Sequence, residues 1–494
     1  MYAIIFMLTY INVYKRHKIM NSNKKSLPDF TKVTITKALF SLSIPIVFAN
    51  ILQTAYQLTD TFWVGRLGKE AVAAVSLSFP IIFLMISLGG GLAIAGTIMV
   101  AQYKGKQDIK QVDYVAAQTL LMMFFTSIIV SVIGYIIAGP VMQFMGAAPD
   151  VLPDAVKYLQ ISFIGLVFMF GYFVFQSLMR GVGDVKTPMY IVFGTVILNL
   201  VLDPLFIMGY GPIPAFGVSG AAMATIGTQG IAAFIGLVML FSGRYGVHLK
   251  KQNLKIDPVL VKRMFMLGFP SSIDQSTRAL GLTIMSFIVA SFGTVTVAAY
   301  GIGVRVLSFV IIPALGLSMA TSTLVGQNIG AGKAERAEKI AKKSAGISFL
   351  FLTGVGIMTF IFAKSIVTAF LPGEIETIAS ATQFIRIMAC TFGFIGIQQT
   401  INGAFTGSGN TATTMIISIV SLWVFQFPLA YLLSKHTSLG SLGIWIAFPI
   451  ANVLSAIVGM IIFSKGTWKN TRITKETPID KKVFIETKIE EGMQ

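Results

Sequence analysis

Long apolar stretches alternate with short polar ones along the whole chain. The apolar runs occupy about 38–63, 71–101, 113–139, 155–178, 188–210 and 217–242, then about 262–290, 295–325, 344–370, 377–402, 412–433 and 439–464. Each can cross roughly 30 Å of hydrocarbon as a helix rising about 1.5 Å per residue. The pattern predicts an all-α integral membrane protein of about twelve transmembrane helices. The run at 344–370 is the least clean, because Lys364 falls near its end.

Composition sharpens this picture. Hydrophobic residues make up 55% of the 494 and charged residues 12%, whereas soluble domains carry about a quarter charged residues. The net charge of +18 does not point to nucleic acid. The basic residues sit in short loops between apolar runs, and the aromatics lie inside the runs rather than among Lys and Arg on a solvated face. Lys24, Lys25, Lys32, Lys37, Lys104, Lys106, Lys110, Arg180, Lys186, Arg244, Lys250, Lys251, Lys333, Arg336, Lys339, Lys342 and the tail from Lys465 fall on one side. The other side offers little beyond Arg66, Lys69, Lys157 and Lys435. The positive-inside rule then places both termini in the cytoplasm of a multi-pass protein.

A shift of 225 residues superposes Pro45 on Pro270, Gly68 on Gly293, Val72-Ala73-Ala74 on Val297-Ala298-Ala299, Gly91 on Gly316, Gln102 on Gln327 and Gly105 on Gly330. A shift of 226 lays Gly181-Val-Gly-Asp184 over Gly407-Ser-Gly-Asn410. Two pseudo-symmetric six-helix lobes are expected, at 37–242 and 262–464. Because six is even, their axis runs along the membrane normal, the arrangement of alternating-access transporters. A cytoplasmic linker at 243–261 joins them, with cytoplasmic segments at 1–36 and 465–494. Tyr2–Val13 is apolar but too short to span. Met20 opens a plausible alternative start, so residues 1–19 read as an over-extended start or an interfacial tail.

Nucleotide-binding signals fail. Gly330-Ala-Gly-Lys-Ala334 lacks the earlier Gly and the following Ser or Thr of a phosphate loop, and no strand precedes Gly181-Val-Gly-Asp184. Both read as sharp turns. No ATPase domain is read in the chain, so pumping is expected to draw on an ion gradient or on a partner. The single Cys390 and three scattered His exclude an intrachain disulfide and show no metal-ligand cluster. Cys390, inside an apolar run, is expected to be a small buried thiol.

Charges within the spans carry the chemistry, since each is costly unless paired, hydrated or protonated. Asp60 lies about 22 Å beyond Pro45 in span 1, and Asp203 lies at similar depth in span 5. Asn199 precedes Asp203 by one helical turn, on the same face. Two carboxylates in a low-dielectric site cannot both ionise cheaply, so the group can exchange protons; with Asn199 and hydroxyl oxygens it can instead hold Na⁺. Tyr56 and Thr225 are candidate oxygen donors. Pro45 removes the hydrogen bond to the Ser41 carbonyl and favours a kink. In the second lobe, Asp274 is expected to pair with Arg278, four residues on, or with Arg305 of span 8; this is a possible secondary charged site. Arg386 in span 10 has no evident partner. Thirty-nine Phe and 24 Met supply adaptable apolar surface.

Several segments together resemble the multidrug and toxic compound extrusion (MATE) family over about 37–465. They are Ile44-Pro45, Gln57-Leu-Thr-Asp60-Thr-Phe-Trp-Val-Gly65, Gln102-Tyr-Lys-Gly105, Arg180-Gly-Val-Gly-Asp184, Asn199-Leu-Val-Leu-Asp203-Pro-Leu, Pro270-Ser-Ser-Ile-Asp-Gln275, Gly326-Gln-Asn-Ile-Gly330 and Gly407-Ser-Gly-Asn410. Acids in spans 1 and 5 are similar to the prokaryotic DinF-like branch. The resemblance implies a V-shaped pair of six-helix bundles in the cell inner (cytoplasmic) membrane, exporting drugs by H⁺ or Na⁺ antiport. It also implies a coupling pocket at Asp60, Asn199 and Asp203, and helix bending at Pro45. No cofactor and no resident metal are expected; the partners are small organic substrates and membrane lipid, and the protein is expected to be a monomer. The competing readings are a flippase or exporter of lipid-linked or anionic cargo, a channel, and a membrane-embedded enzyme. The last is disfavoured because His is absent from the spans.

Overall fold

The computed structural model describes residues 27–474; the alternative start at Met20 and most of the tail lie outside them. The described residues form twelve helical rods and, apart from one isolated bridge between Tyr210 and Ile213, no β-structure. The first lobe holds α1 (Ile35–Gly65), α2 (Lys69–Gly105), α3 (Ile109–Phe144), α4 (Leu152–Val182), α5 (Lys186–Met208) and α6 (Val218–Ser242). The second holds α7 (Pro258–Ala290), α8 (Thr294–Gly330), α9 (Ala334–Phe370), α10a (Ile375–Ala389) with α10b (Phe392–Ser408), α11 (Thr411–Lys435) and α12 (Ser441–Ser464).

Ten of these are long and apolar enough to cross a membrane, and the pair α10a–α10b, bent by 52°, makes an eleventh. The remaining rod, α7, is diluted by Asp274, Gln275 and Arg278 in mid-helix, all of which line an internal cavity. Span 10 is thus broken rather than straight. Cys390 lies at the break and is exposed, with Sγ 3.4 Å from the Arg386 carbonyl, so the expectation of a buried thiol is wrong. The guanidinium of Arg386 lies 5.4 Å from the centre of the Phe360 ring. Several helices outrun their apolar runs; α2, α8 and α9 each have 37 residues, about 55 Å at helical rise. Their polar ends continue the helix beyond the hydrocarbon.

Each lobe has its own apolar core. One gathers Leu92, Met99, Phe170 and Phe175; the other gathers Met285, Phe384, Trp445 and Phe448. Large apolar side chains such as Ile136, Phe287 and Leu350 face outward, as lipid requires. A third cluster joins the lobes at the end of the molecule where both described termini lie, packing Phe30, Leu39 and Leu42 against Leu324, Ile340 and Phe405.

Lipid tails are as apolar as Leu, so close packing and hydrogen bonds must hold the lobes together. The repeat supplies both twice over. A Cβ on Gly105 would meet the Gln327 carbonyl oxygen at 1.8 Å, and one on Gly330 would meet that of Gln102 at 1.9 Å. The Gln102 amide donates to the Ser408 carbonyl at 3.0 Å, and the Gln327 amide to the Gly181 carbonyl at 3.0 Å. The two glycine turns are real: Gly183 and Gly409 both end helices in the left-handed region, at φ 90° and 93°, which favours glycine.

Candidate functional site

A cavity of about 850 Å³ lies between the lobes. It is closed at the terminus-bearing end by the Gln and Gly contacts. The cross-lobe hydrogen bond farthest from that end, among the described residues, runs from Ser272 Oγ to the Leu88 carbonyl at 3.0 Å.

Asp60 on α1 and Thr225 on α6 line this cavity, and Asp203 and Asn199 on α5 stand behind them, fully buried. Asn199 Nδ2 donates to Asp203 Oδ1 at 2.8 Å, the one-turn spacing bringing amide and acid together. Thr225 Oγ1 donates to Asp60 Oδ2 at 3.2 Å. The two carboxyls are close enough to interact directly, yet Asp60 Oδ1, Asp203 Oδ2 and Asn199 Oδ1 are all buried without a hydrogen-bond partner. Among the described residues no Lys or Arg forms an ion pair with either acid. Three unpartnered oxygens and no fixed counter-charge are what a proton or small cation would satisfy.

Tyr56 is one step removed: its hydroxyl meets Thr228 Oγ1 at 2.7 Å, and Thr228 donates to the Thr225 carbonyl at 2.8 Å. Sequence reasoning named Tyr56 and Thr225 but missed Thr228, which lies on the same α6 face three residues on. It also missed Tyr158 of α4, which lines the cavity near both acids. Pro45 is buried within α1, which stays helical through it.

In the second lobe, Asp274 Oδ1 pairs with Arg278 Nε at 3.2 Å, the side chains being 17% and 38% exposed. Arg278 also donates from Nη2 to Ser418 Oγ at 2.9 Å, and Nη1 points at Gln399 Oε1 at 3.5 Å. Arg305 is exposed and lies outside this group, so Arg278 is the partner of Asp274. Among the described residues no group of three or more His, Cys, Asp or Glu could hold a metal.

Two six-helix lobes around one shared cavity, with a buried acid pair in one of them, define a multi-pass membrane transporter. The chain belongs to the MatE family, whose profile matches it twice, at residues 45–205 and 270–432, once in each lobe. It is 31% identical to the probable multidrug resistance protein YoeA of Bacillus subtilis (strain 168), over 92% of this chain and 97% of that one. The FAD transporter of Shewanella oneidensis is 26% identical, over 86% of this chain and 93% of that protein. The crystal structure of MATE in the bent conformation superposes with a TM-score of 0.84 at 26% identity, covering 91% of this chain and all of that one.

Proposed function

We propose that this transporter exports amphipathic, cationic small molecules across the cell inner membrane in exchange for H⁺ or Na⁺, with both termini in the cytoplasm. The observation that carries this reading is the unpartnered oxygen set of Asp60, Asn199 and Asp203 beside a cavity formed by both lobes. A proton or Na⁺ and an organic cation compete for the same negative charge. Occupancy by one favours release of the other, and differential binding to the two conformations drives alternating access. The name of the Bacillus relative fits this cargo.

A second reading, an anionic or lipid-linked cargo, has one observation in its favour. Arg180 lines the closed end of the cavity and has no ion-pair partner among the described residues; a FAD transporter among the relatives fits such cargo.

Proteoliposomes loaded with a fluorescent organic cation, under imposed proton or sodium gradients, decide between them. Gradient-driven transport is expected, falling at least about tenfold in both Asp60→Asn and Asp203→Asn, since each removes a charge made costly by burial. Transport indifferent to both gradients and both substitutions sinks the antiport reading. FAD uptake, abolished by Arg180→Gln, then becomes the expected result.

A further inference from the structure

The second lobe presents a different kind of surface to the cavity. On α10b, Ile395, Gln398, Gln399, Asn402, Gly403 and Thr406 form one continuous stripe along the cavity wall, at the spacing of a single helix face. The roll of this helix is fixed. A Cβ on Gly403 would come within 2.3 Å of the Ser318 carbonyl oxygen and one on Gly407 within 2.2 Å of that of Ser322. Ser318 Oγ donates to the Gln399 carbonyl at 2.6 Å.

On this locked face Asn402 is only 6% exposed, yet neither its Oδ1 nor its Nδ2 has a hydrogen-bond partner. A carboxamide can donate twice and accept twice, and buried polar groups are nearly always satisfied. The fixed roll keeps Asn402 in the cavity wall, where its amide has no partner within the protein and lies covered until the side chain rotates toward the cavity. In α11 the stretch Val420–Gln426, which brings Ser421 and Gln426 to the same cavity, is π-helical, a distortion found often at functional sites.

Charge narrows the ligand. Arg278 points its Nε, Nη1 and Nη2 at Asp274, Gln399 and Ser418, and the adjacent Asp274 cancels its charge. This side of the cavity is therefore polar without net charge, in contrast to the acid pair in the first lobe.

We propose that the second lobe holds an uncharged subsite, centred on Asn402, that takes a carboxamide, lactam or similar donor–acceptor edge of the transported molecule. This deepens the reading of cation export and rests on it for the cargo's charge; Asn402 stands level with Ser318 and Val47, about 20 Å along the cavity from Asp60, so the two sites are occupied in turn.

Calorimetric binding of three probes to the purified full-length protein tests it. Tetraphenylphosphonium is a cation without hydrogen-bonding groups, procainamide a cation with a carboxamide, and 4-aminobenzamide the carboxamide without the cation. Asn402→Leu, with the same number and branching of side-chain heavy atoms, is expected to weaken procainamide and 4-aminobenzamide about five- to tenfold, the scale of one lost hydrogen bond, and to leave tetraphenylphosphonium unchanged. Asp203→Asn is expected to weaken tetraphenylphosphonium and to spare 4-aminobenzamide. Loss of all three probes in Asn402→Leu, or of none, overturns the subsite. Wild-type protein that ignores tetraphenylphosphonium yet binds 4-aminobenzamide through Asn402 overturns the cation reading and leaves the subsite standing.

Discussion

At the residue scale, hydrogen-bond direction ranks the side chains around the acids. Thr228 already donates to the Thr225 carbonyl, so the Tyr56 hydroxyl must be the donor between them. Tyr56→Phe therefore removes one bond and strands no donor. It should cost about 1 kcal/mol of stability and slow transport by no more than a few-fold. Asn199→Leu is harsher, because it deletes the amide that donates to a fully buried Asp203. Transport in proteoliposomes should fall at least about tenfold, with the folded protein still monodisperse; equal effects of the two substitutions would refute this ranking. Asp60, Asp203 and Asn199 were legible in the sequence because a charge inside an apolar run is expensive and one helical turn is a fixed spacing. Thr228 was not, since hydroxyls abound in these helices and commonly bond to their own backbone. Asn402 was equally silent, because one more amide beside Gln398 and Gln399 means nothing until the roll of α10b is known.

At the element scale, the apolar runs located nearly every helix, and the misses share one cause. Hydropathy reports where a segment meets lipid but not how its backbone is bonded. Hence the 52° break at Cys390–Thr391, which exposes the thiol, and the π-helical stretch in α11 both escaped it. Prolines are the exception, because they delete a specific hydrogen bond. Pro45 in α1 and Pro270 in α7 occupy equivalent places in the repeat, and both helices run through them. Of these two helices, only α1 carries a member of the Asp60–Asp203 pair. If bending of α1 serves coupling, Pro45→Ala should slow gradient-driven transport several-fold, while Pro270→Ala should change it much less. Thermal stability should hold or rise in both, since each regains a backbone bond. Equal transport losses would show that Pro45 has no role beyond that of its twin.

At the scale of the whole molecule, the repeat that was visible as matched letters turns out to be a clasp. Gln102 and Gln327, with Gly105 and Gly330, hold the lobes together where both described termini lie. The two halves of the clasp are not equivalent, and the difference lies in the segment beyond α12, which bonds to Gln102. The Ile473 amide donates to Gln102 Oε1 at 2.9 Å, Arg472 Nη2 to the Gly330 carbonyl at 2.7 Å, and Arg263 Nη2 to the Ile473 carbonyl at 2.7 Å. Trp468 is fully buried behind them. On the other flank, Lys333 Nζ donates to the Thr31 carbonyl at 3.1 Å. Gln102 thus serves the cross-lobe bond and the tail together, whereas Gln327, among the described residues, serves only the former. If this end opens during transport, both sets must break. Gln102→Ala should therefore loosen the clasp more than Gln327→Ala, seen as a larger long-distance population between spin labels placed at positions 107 and 332. Truncation after residue 465 should raise that population in the otherwise unaltered protein and erase the difference between the two Gln substitutions. A difference that survives truncation would place the asymmetry within the lobes and leave the tail a passive passenger.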